Sequence, residues 1–222
     1  MALLSIVIPL GPTETGLQFL LKDLENISEI RKNCEVLIVG TKAIDSFNSK
    51  IENLKYLVSE IGRGVQLNFG AENAQGEYLW FLHADTRLKK SAYTKLLNSL
   101  LKNNEDIHYF NLKFLSQGTK MLINEWGVKL RSDFLGMPFG DQGIALKKGV
   151  FRRIGGFPQI SGEDHHFIWQ AKLKGFKLRN TDEKLYTSAR KYEQNGWLRT
   201  TLGHLYLTFK QAIPYWAKIL KG

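Results

Sequence analysis

The chain has 222 residues, of which 43% are hydrophobic and 23% charged, so it can bury a full core without disulfides or an obligatory metal. Its 20 glycines, 5 prolines and ordinary mixture of apolar and charged residues exclude collagen-like, disordered and low-complexity classes. The formal net charge of +10 favours phosphate-bearing ligands, anionic lipid or nucleic acid without choosing among them.

Patterns of apolar residues predict strands and helices that alternate over the first 82 residues. The predicted strands are 4–9, 35–39, 56–58 and 78–82, and the predicted helices between them are 14–31, 46–54 and 64–75. Strands that alternate with helices need crossover connections. We therefore expect an α/β fold with a largely parallel sheet, whose ligands bind at the carboxyl ends of the strands.

The alternation loosens after residue 87. Helices are predicted over 93–101, 122–134, 163–174 and 195–209, and strands over 107–115 and 143–146. Asn195 is a plausible cap for the last of these helices, and Pro214 is expected to end it. The length and the absence of a linker-like stretch predict one domain.

Cys34 is the only cysteine, which excludes an internal disulfide framework and a thiolate-based zinc site. No apolar run reaches the roughly 18 residues of a membrane-spanning helix. The first residues also lack the basic region and small-residue cleavage site of a secretory signal. These features predict a cytoplasmic protein.

Asp85 follows the strand predicted at 78–82, so its carboxylate should reach the ligand-binding edge of the sheet. A hard cation such as Mg²⁺ or Mn²⁺ prefers oxygen ligands and can be held by one carboxylate together with substrate phosphates. His83, two residues earlier, could join through a borderline metal such as Mn²⁺. The alternative is that Asp85 merely starts a helix or turns the chain.

Glu163 and Asp164 stand at the start of the helix predicted over 163–174. The helix dipole favours ionised carboxylates there, which suits a general base that must be deprotonated at neutral pH. Acidic residues are also common in the first turn of helices, so simple N-terminal capping is the alternative interpretation.

Two glycine-containing loops complete the candidate site. In the segment 62–68, Arg63 and exposed backbone amides could meet an anionic ligand, with Gln66 and Asn68 nearby. The segment 140–143 carries Asp141 and Gln142. Either loop could equally be an ordinary turn, with Asp141 bonding its own backbone.

Several stretches, in this order along the chain, resemble the nucleotide-sugar-dependent glycosyltransferases of family 2, which have the GT-A fold, and in particular a subgroup of small single-domain bacterial members. The stretches are SIVIP at 5–9, GRGVQLNFGA at 62–71, FLHADTR at 81–87, EWGVKLRS at 125–132, PFGDQG at 138–143, GGFP at 155–158, ED at 163–164 and TSAR at 187–190. The resemblance implies a GT-A (Rossmann-like), mostly parallel central sheet flanked by helices, with a smaller mixed C-terminal part. It divides the single domain 1–222 into a nucleotide-binding half (1–87), an acceptor-binding half (88–194) and a C-terminal helical segment (195–222).

The resemblance also implies an activity: metal-assisted transfer of a sugar from a nucleotide-diphosphate sugar donor to a hydroxyl acceptor, with inversion. Asp85, with His83, would hold a divalent cation, Mn²⁺ or Mg²⁺, that bridges the donor diphosphate. Asp164 would be the catalytic base. Donor or acceptor contacts would come from the remaining matched positions, namely Arg63, Gln66, Asn68, Asp141, Gln142 and Glu163. The acceptor would be a saccharide or a lipid-linked hydroxyl.

The sequence departs from the family pattern at three places. The segment after the first strand reads LGPTE at 10–14, where a polar Asn-Glu step is usual. Gly40 stands where an acidic residue that recognises the nucleoside is expected, so a non-catalytic GT-A-like sugar- or nucleotide-binding domain is the alternative function. His165 and His166 follow Asp164 instead of the usual acidic or apolar continuation. They could contact the acceptor or the cation, and lone surface histidines are the simpler interpretation.

The segment from Trp197 to the last residue mixes aromatic and aliphatic side chains with basic ones, which would suit the surface of an anionic membrane. Packing on the core is the alternative, and its aromatics also leave room for a homodimer contact. The predicted location is therefore cytoplasmic, with peripheral contact at the inner face of the membrane left open. A nucleic-acid-binding module rests on charge and aromatic content alone, and without a long basic run we expect no nucleic-acid partner.

Overall fold

The computed structural model describes residues 3–44, 48–116 and 118–219. Within these ranges the chain forms seven strands, β1 (Leu4–Pro9), β2 (Glu35–Gly40), β3 (Leu54–Val58), β4 (Tyr78–Phe81), β5 (Ile107–Phe114), β6 (Ala145–Lys147) and β7 (Leu178–Thr187). They form one sheet in the order β3-β2-β1-β4-β6-β5-β7. Neighbouring strands are parallel, except that β6 is antiparallel to both β4 and β5.

Helices cover both faces of this sheet. They are α1 (Leu17–Glu25), α2 (Ser28–Asn33), α3 (Arg63–Asn73), α4 (Lys90–Lys102), α5 (Thr119–Phe134), α6 (Lys148–Ile154), α7 (Glu163–Leu173), α8 (Arg190–Asn195) and α9 (Trp197–Ile219). Because successive side chains of a strand point to opposite faces, Ile6 and Ile8 of β1 pack with α1, α2 and α4, whereas Val7 packs with α3, α6 and α7. The central strands are therefore buried on both faces, so polar side chains can be exposed only at the ends of these strands.

A buried carboxylate fastens the amino-terminal end of the sheet. Glu35, which is 2% exposed, accepts hydrogen bonds from Ser5 Oγ (2.6 Å), Lys55 Nζ (2.8 Å) and Gln75 N (2.8 Å). These contacts join β1, β2 and β3 to the segment that leads into β4. A ligand-binding site is therefore expected at the opposite, carboxyl end of the strands.

The predicted alternation of strands and helices in the first 82 residues is confirmed, with two corrections. The helix predicted over 14–31 is divided into α1 and α2, because Ile27 has an extended conformation (φ −101°, ψ 101°). The helix predicted over 46–54 is wrong where the structure describes it, since residues 48–53 are irregular and β3 begins at Leu54; residues 45–47 lie outside the described ranges. Glu25 accepts hydrogen bonds from Ser49 Oγ and Lys50 N, so a long-range contact replaces helical bonding there.

The second half of the chain holds elements that the sequence pattern did not predict. These are β7 and the short helices α6 and α8. The residues of β7 (LRNTDEKLYT) show no alternation of apolar and polar side chains, because the strand lies at the sheet edge beside β5. The predicted break at Pro214 is also wrong, since α9 continues to Ile219. Tyr215, just after the proline, stacks on Trp169 with ring centroids 5.5 Å apart, and this packing stabilises the last turns of α9.

Candidate active site

Asp85 lies beyond the carboxyl end of β4, as predicted. The strand is buried throughout, so the chain leaves the sheet after Phe81 and brings His83 and Asp85 to the partly exposed edge. Thr187 Oγ1 at the end of β7 donates a hydrogen bond of 3.4 Å to Asp85 Oδ2. Gly16 is also required here, because a Cβ on this residue would lie 2.6 Å from Asp85 Cα. Sequence reasoning did not identify this close approach.

Glu163 and Asp164 are the first two residues of α7 and are 6% and 7% exposed. Asp164 Oδ2 accepts a hydrogen bond from Gly140 N (2.8 Å), and Oδ1 accepts one from His165 N (2.9 Å). Arg63 binds both carboxylates: its Nε contacts Glu163 Oε1, and its Nη2 lies 3.6 Å from Asp164 Oδ1. The Asp164 carboxylate is consequently fixed in orientation by backbone amides and by one cation.

The electrostatic environment keeps Asp164 ionised. Burial opposes the charged form, but the Arg63 guanidinium, the amide of Gly140 and His83 outweigh it, so the pKa of Asp164 is lowered. A carboxylate in this state can accept a proton at neutral pH.

Asp141 behaves in the opposite way. It lies on a 3-10 turn, Gly140–Gln142, and burial is the main cause that raises its pKa, with further contributions from the charges of Asp164 and Asp85. Its Oδ1 atom is buried and has no hydrogen-bond partner among the described residues. The charges of Asp164 and Asp85 act on Asp141, so the three carboxyl groups lie near one another, and the unpartnered oxygen of Asp141 suits a hydroxyl group of a substrate.

Gly140 is the point where three parts of the site meet. A Cβ on this residue would lie 2.9 Å from His83 Nε2 and 3.0 Å from Asp164 Oδ2. Only a residue without a side chain lets its backbone amide reach Asp164 beside the imidazole. His83, predicted as a metal ligand, is thereby placed next to the Asp164 carboxylate.

Several predicted contact residues hold the backbone of the site. Gln66 Nε2 donates to Leu10 O (2.9 Å) and Val39 O (2.6 Å), which ties the ends of β1 and β2 together. Asn68 exchanges two hydrogen bonds of 2.8 Å with the backbone of Phe157. Gln66 is 4% exposed, so the structure gives these amides a positioning role, and their direct contact with a donor stays a prediction.

Gln142 is likewise a buried side chain that holds the surrounding backbone in place. It is 1% exposed, its Nε2 donates to Phe110 O (2.9 Å), and its Oε1 accepts from Arg131 Nη2 (3.2 Å), Ser132 Oγ (2.9 Å) and Phe139 N (3.1 Å). All four contacts fix the loop that carries Asp141, so the structure gives Gln142 a positioning role, and its direct contact with a ligand stays a prediction. Neighbouring Asp141 is the member of this loop whose carboxyl is left to meet a ligand.

A stack of three side chains, which sequence reasoning missed, lies beside Gly140 and Asp164. The Phe139 ring lies between the Arg131 guanidinium, 3.3 Å from its centroid, and the His165 ring, 3.1 Å away. Burial lowers the pKa of Arg131 to about 10 and that of His165 to about 3, so the histidine is neutral. His165 is 9% exposed and His166 Nδ1 bonds Tyr215 Oη at 2.6 Å, so their interpretation as lone surface histidines is wrong. The only available signal was the position of Arg131 within the stretch 125–132 and of His165 beside Asp164.

Gly40 at the end of β2 has a physical explanation. A Cβ on this residue would lie 1.8 Å from Tyr56 Oη, and the same hydroxyl donates a 2.7 Å hydrogen bond to Lys42 O. Tyr56 of β3 therefore occupies the space that an acidic side chain at position 40 would need.

Among the described residues, no group of three or more His, Cys, Asp or Glu side chains is arranged to hold a metal ion by itself. Asp85 provides a hard oxygen ligand, and Asp141 carries the buried oxygen noted above. This donor set fits a Mg²⁺ or Mn²⁺ ion that takes most of its ligands from substrate phosphates and water.

A mostly parallel sheet with carboxylates beyond its strand ends is typical of enzymes that bind nucleotides. The chain matches the family model of Glycosyl transferase family 2 over residues 5–157, and it belongs to that family. A relative from Haemophilus influenzae, described as an uncharacterized glycosyltransferase, is 26% identical over 181 residues, which cover 76% of this chain and 71% of the relative.

Solved structures share the fold. TarS from S. aureus in complex with UDP has a TM-score of 0.64 at 19% identity over 90% of this chain. Mannosyltransferase PcManGT from Pyrobaculum calidifontis in complex with GDP-Man and Mn²⁺ has a TM-score of 0.69 at 18% identity over 96% of this chain. The chain covers 64% of each, so it spans less than two thirds of their length. The predicted GT-A fold is thereby confirmed.

Proposed function

We propose that this protein is a metal-assisted, inverting glycosyltransferase that moves a sugar from a nucleotide-diphosphate sugar to an acceptor hydroxyl. The observation that carries the proposal is the Asp164 carboxylate, ionised and held by Gly140 N and Arg63 at the edge of the sheet that also bears Asp85. Membership of Glycosyl transferase family 2 supports the same reaction class.

The part of the site that carries Arg63 and Asp85 is proposed to bind the diphosphate of the donor. Arg63 is the cation placed to contact the phosphates, and its side chain is 42% exposed, so it can reach a ligand. Asp85 would hold the divalent cation, with His83 beside it. When bound, the cation stabilises the charge that develops on the leaving nucleoside diphosphate. The solved relatives in complex with UDP-GlcNAc, or with GDP-Man and Mn²⁺, support a donor and cofactor of this kind.

On the acceptor side, Asp164 takes the proton of the attacking hydroxyl. The oxygen then forms a bond to the anomeric carbon from the face opposite the diphosphate, the bond to the diphosphate oxygen breaks, and the configuration inverts. Asp141, with its raised pKa, can contact sugar hydroxyls in the same space. Glu163 is paired with Arg63, which supports a role in positioning that cation.

The acceptor is proposed to be a saccharide or a lipid-linked hydroxyl. A cytoplasmic location stays a prediction. A homodimer stays a prediction, as does the division of the chain into donor and acceptor halves.

The test is release of nucleoside diphosphate from a panel of UDP-, GDP- and dTDP-sugars with and without Mn²⁺. We expect Asp164→Asn to lower turnover at least about 100-fold while donor binding persists. Asp85→Asn should abolish Mn²⁺-dependent donor binding. Asp182→Asn is the matched control, because Asp182 is exposed and its positive φ of 56° suits asparagine. Native turnover in Asp164→Asn would overturn the assignment of the base.

Tyr56 supports a second candidate function, a non-catalytic domain that binds a sugar or nucleotide. Its phenol fills the space beside Gly40 where the family carries a nucleoside-recognising acid. Donor binding without release of nucleoside diphosphate under any condition of the panel would favour this second function over the transferase.

A further inference from the structure

Helix α9 presents a row of large apolar side chains to solvent. Most of them are three or four residues apart, which places them along one side of the helix, and they are 49–64% exposed: Leu198, Leu202, Leu205, Tyr206, Phe209 and Ile213. Leu207, which is 47% exposed, lies on another side of the helix. Thr208 and Ala212, by contrast, are buried, and Ala212 packs with Trp169 of α7. The exposed row therefore lies away from the protein core.

Helix α5 carries a second exposed row, and its members are 41–81% exposed: Leu122, Ile123, Trp126, Leu130 and Phe134. The two helices are neighbours. Trp197 Nε1 donates to Lys120 O (3.2 Å), and Thr201 Oγ1 donates to Asn124 Oδ1 (3.3 Å). We call these two rows together the α5–α9 face. Its apolar extent exceeds the scattered single residues that a soluble surface normally shows.

The charges around the α5–α9 face have one sign. The whole of α9 contains no aspartate or glutamate, whereas its Arg199 and Lys210 are exposed. Lys120 of α5 is exposed as well, whereas Lys129 is already paired with Asp133. The two acids of α5 are already compensated, because Glu125 pairs with Lys113 and Asp133 with Lys129.

We propose that the α5–α9 face binds the surface of a lipid bilayer with anionic headgroups. Apolar side chains would enter the boundary between headgroups and acyl chains, while Arg199, Lys210 and Lys120 would meet the lipid phosphates. In the part of the chain that the structure describes, no helix is long and apolar enough to cross a membrane. The charge argues against a second copy as the occupant, since two such faces would bring their cations together.

Attachment to a bilayer through this face would place the candidate active site close to the membrane surface. Helix α5 leads directly into the loop that carries Phe139 and Asp141, and α9 is bonded to α7 through Tyr215 Oη and His166 Nδ1 at 2.6 Å. The proposed membrane-binding helices therefore flank the part of the candidate active site that contains Asp141 and Asp164.

The test is flotation of the full chain, without donor or metal, with vesicles of phosphatidylcholine alone or containing about one third phosphatidylglycerol. We expect binding to the anionic vesicles and much weaker binding to the neutral ones. The double variant Leu202→Glu/Leu205→Glu should lower the partition coefficient at least about tenfold. Leu101→Glu, at a residue 57% exposed on α4, is the matched control and should bind as the native chain does.

A charge variant separates the electrostatic contribution. Arg199→Gln/Lys210→Gln should weaken binding to anionic vesicles about fivefold per residue and leave the weak neutral binding unchanged. Unchanged circular dichroism verifies folding of every variant, which is expected because the substituted residues are exposed. Equal flotation of the native chain and Leu202→Glu/Leu205→Glu would overturn the proposal. So would a concentration-dependent dimer by light scattering that Leu202→Glu/Leu205→Glu abolishes, in a chain that floats with neither vesicle.

Discussion

The contact between Gly40 and Tyr56 yields a prediction about stability. Gly40→Ala places a Cβ 1.8 Å from Tyr56 Oη and 2.6 Å from its Cζ, far inside van der Waals contact. The ring must therefore move and release the hydrogen bond to Lys42 O, which is worth about 1 kcal/mol. Overpacking adds about 1–3 kcal/mol. We expect Gly40→Ala to lower the free energy of unfolding by about 2–4 kcal/mol.

A double-mutant cycle in urea tests this reasoning. In a Tyr56→Ala background the new methyl group has space, so Gly40→Ala should cost less than about 0.5 kcal/mol, and the two substitutions should be coupled by about 2 kcal/mol or more. Gly127→Ala is the matched control, because a Cβ there meets no atom within 4 Å. On helix α5 it should stabilise the protein by about 0.4–1 kcal/mol. A coupling near zero between positions 40 and 56 would refute the argument that Tyr56 excludes a side chain from position 40.

Three further predictions concern the site and the sheet. Arg63→Gln should raise the pKa of Asp164, so the acid limb of kcat/KM should move to higher pH; an unmoved limb would show that Arg63 does not tune this carboxylate. Gly140→Ala should lower kcat at least about tenfold, because the new Cβ displaces His83 and Asp164. Unchanged folding of the variant in the absence of Mn²⁺ is the control, and a native kcat would contradict the prediction. Glu35→Ala should cost about 3 kcal/mol, because it leaves buried donors unpaired. Although burial opposes its ionisation, the pKa of Glu35 lies below its ordinary value of 4.5. The contribution of Glu35 to stability is therefore present above pH 4.5 and is lost as the pH falls through the pKa of the folded state. A difference in unfolding free energy between the native protein and Glu35→Ala that stays constant as the pH is lowered would contradict the assignment.

The parts of the fold that depend on local pattern were predictable from the sequence. Buried strands such as β1 and β4 are continuous apolar runs, and parallel strand ends meet at one edge, which is why Arg63, Asp85 and Asp164 could be expected together. The edge strand β7 was not predictable, because within the described residues it has a neighbouring strand on one side alone and its sequence is polar. Pairing across the chain decides such an element.

The roles of the amide side chains could not be predicted for a similar reason. Gln66 and Gln142 look like surface groups in the sequence, yet each satisfies backbone carbonyls that belong to other elements. The stack of Arg131, Phe139 and His165 joins residues from α5, a loop and α7. Contacts of this kind depend on how elements pack, and spacing along the chain carries no record of them.

The pairing of Arg63 with Asp164 has a consequence for proton transfer. A carboxylate whose pKa is lowered is reliably ionised but is a weak base, and the rate of general-base catalysis rises with basicity. Arg63 is 42% exposed and its contact with Asp164 is 3.6 Å long, so a ligand in the site can reach and displace it. A donor diphosphate that draws Arg63 toward its own negative charge removes that stabilisation while Gly140 N keeps the carboxylate oriented. In the proposed reaction, Asp164 therefore becomes a stronger base when the donor is in place, which couples activation of the acceptor hydroxyl to the presence of the sugar it attacks.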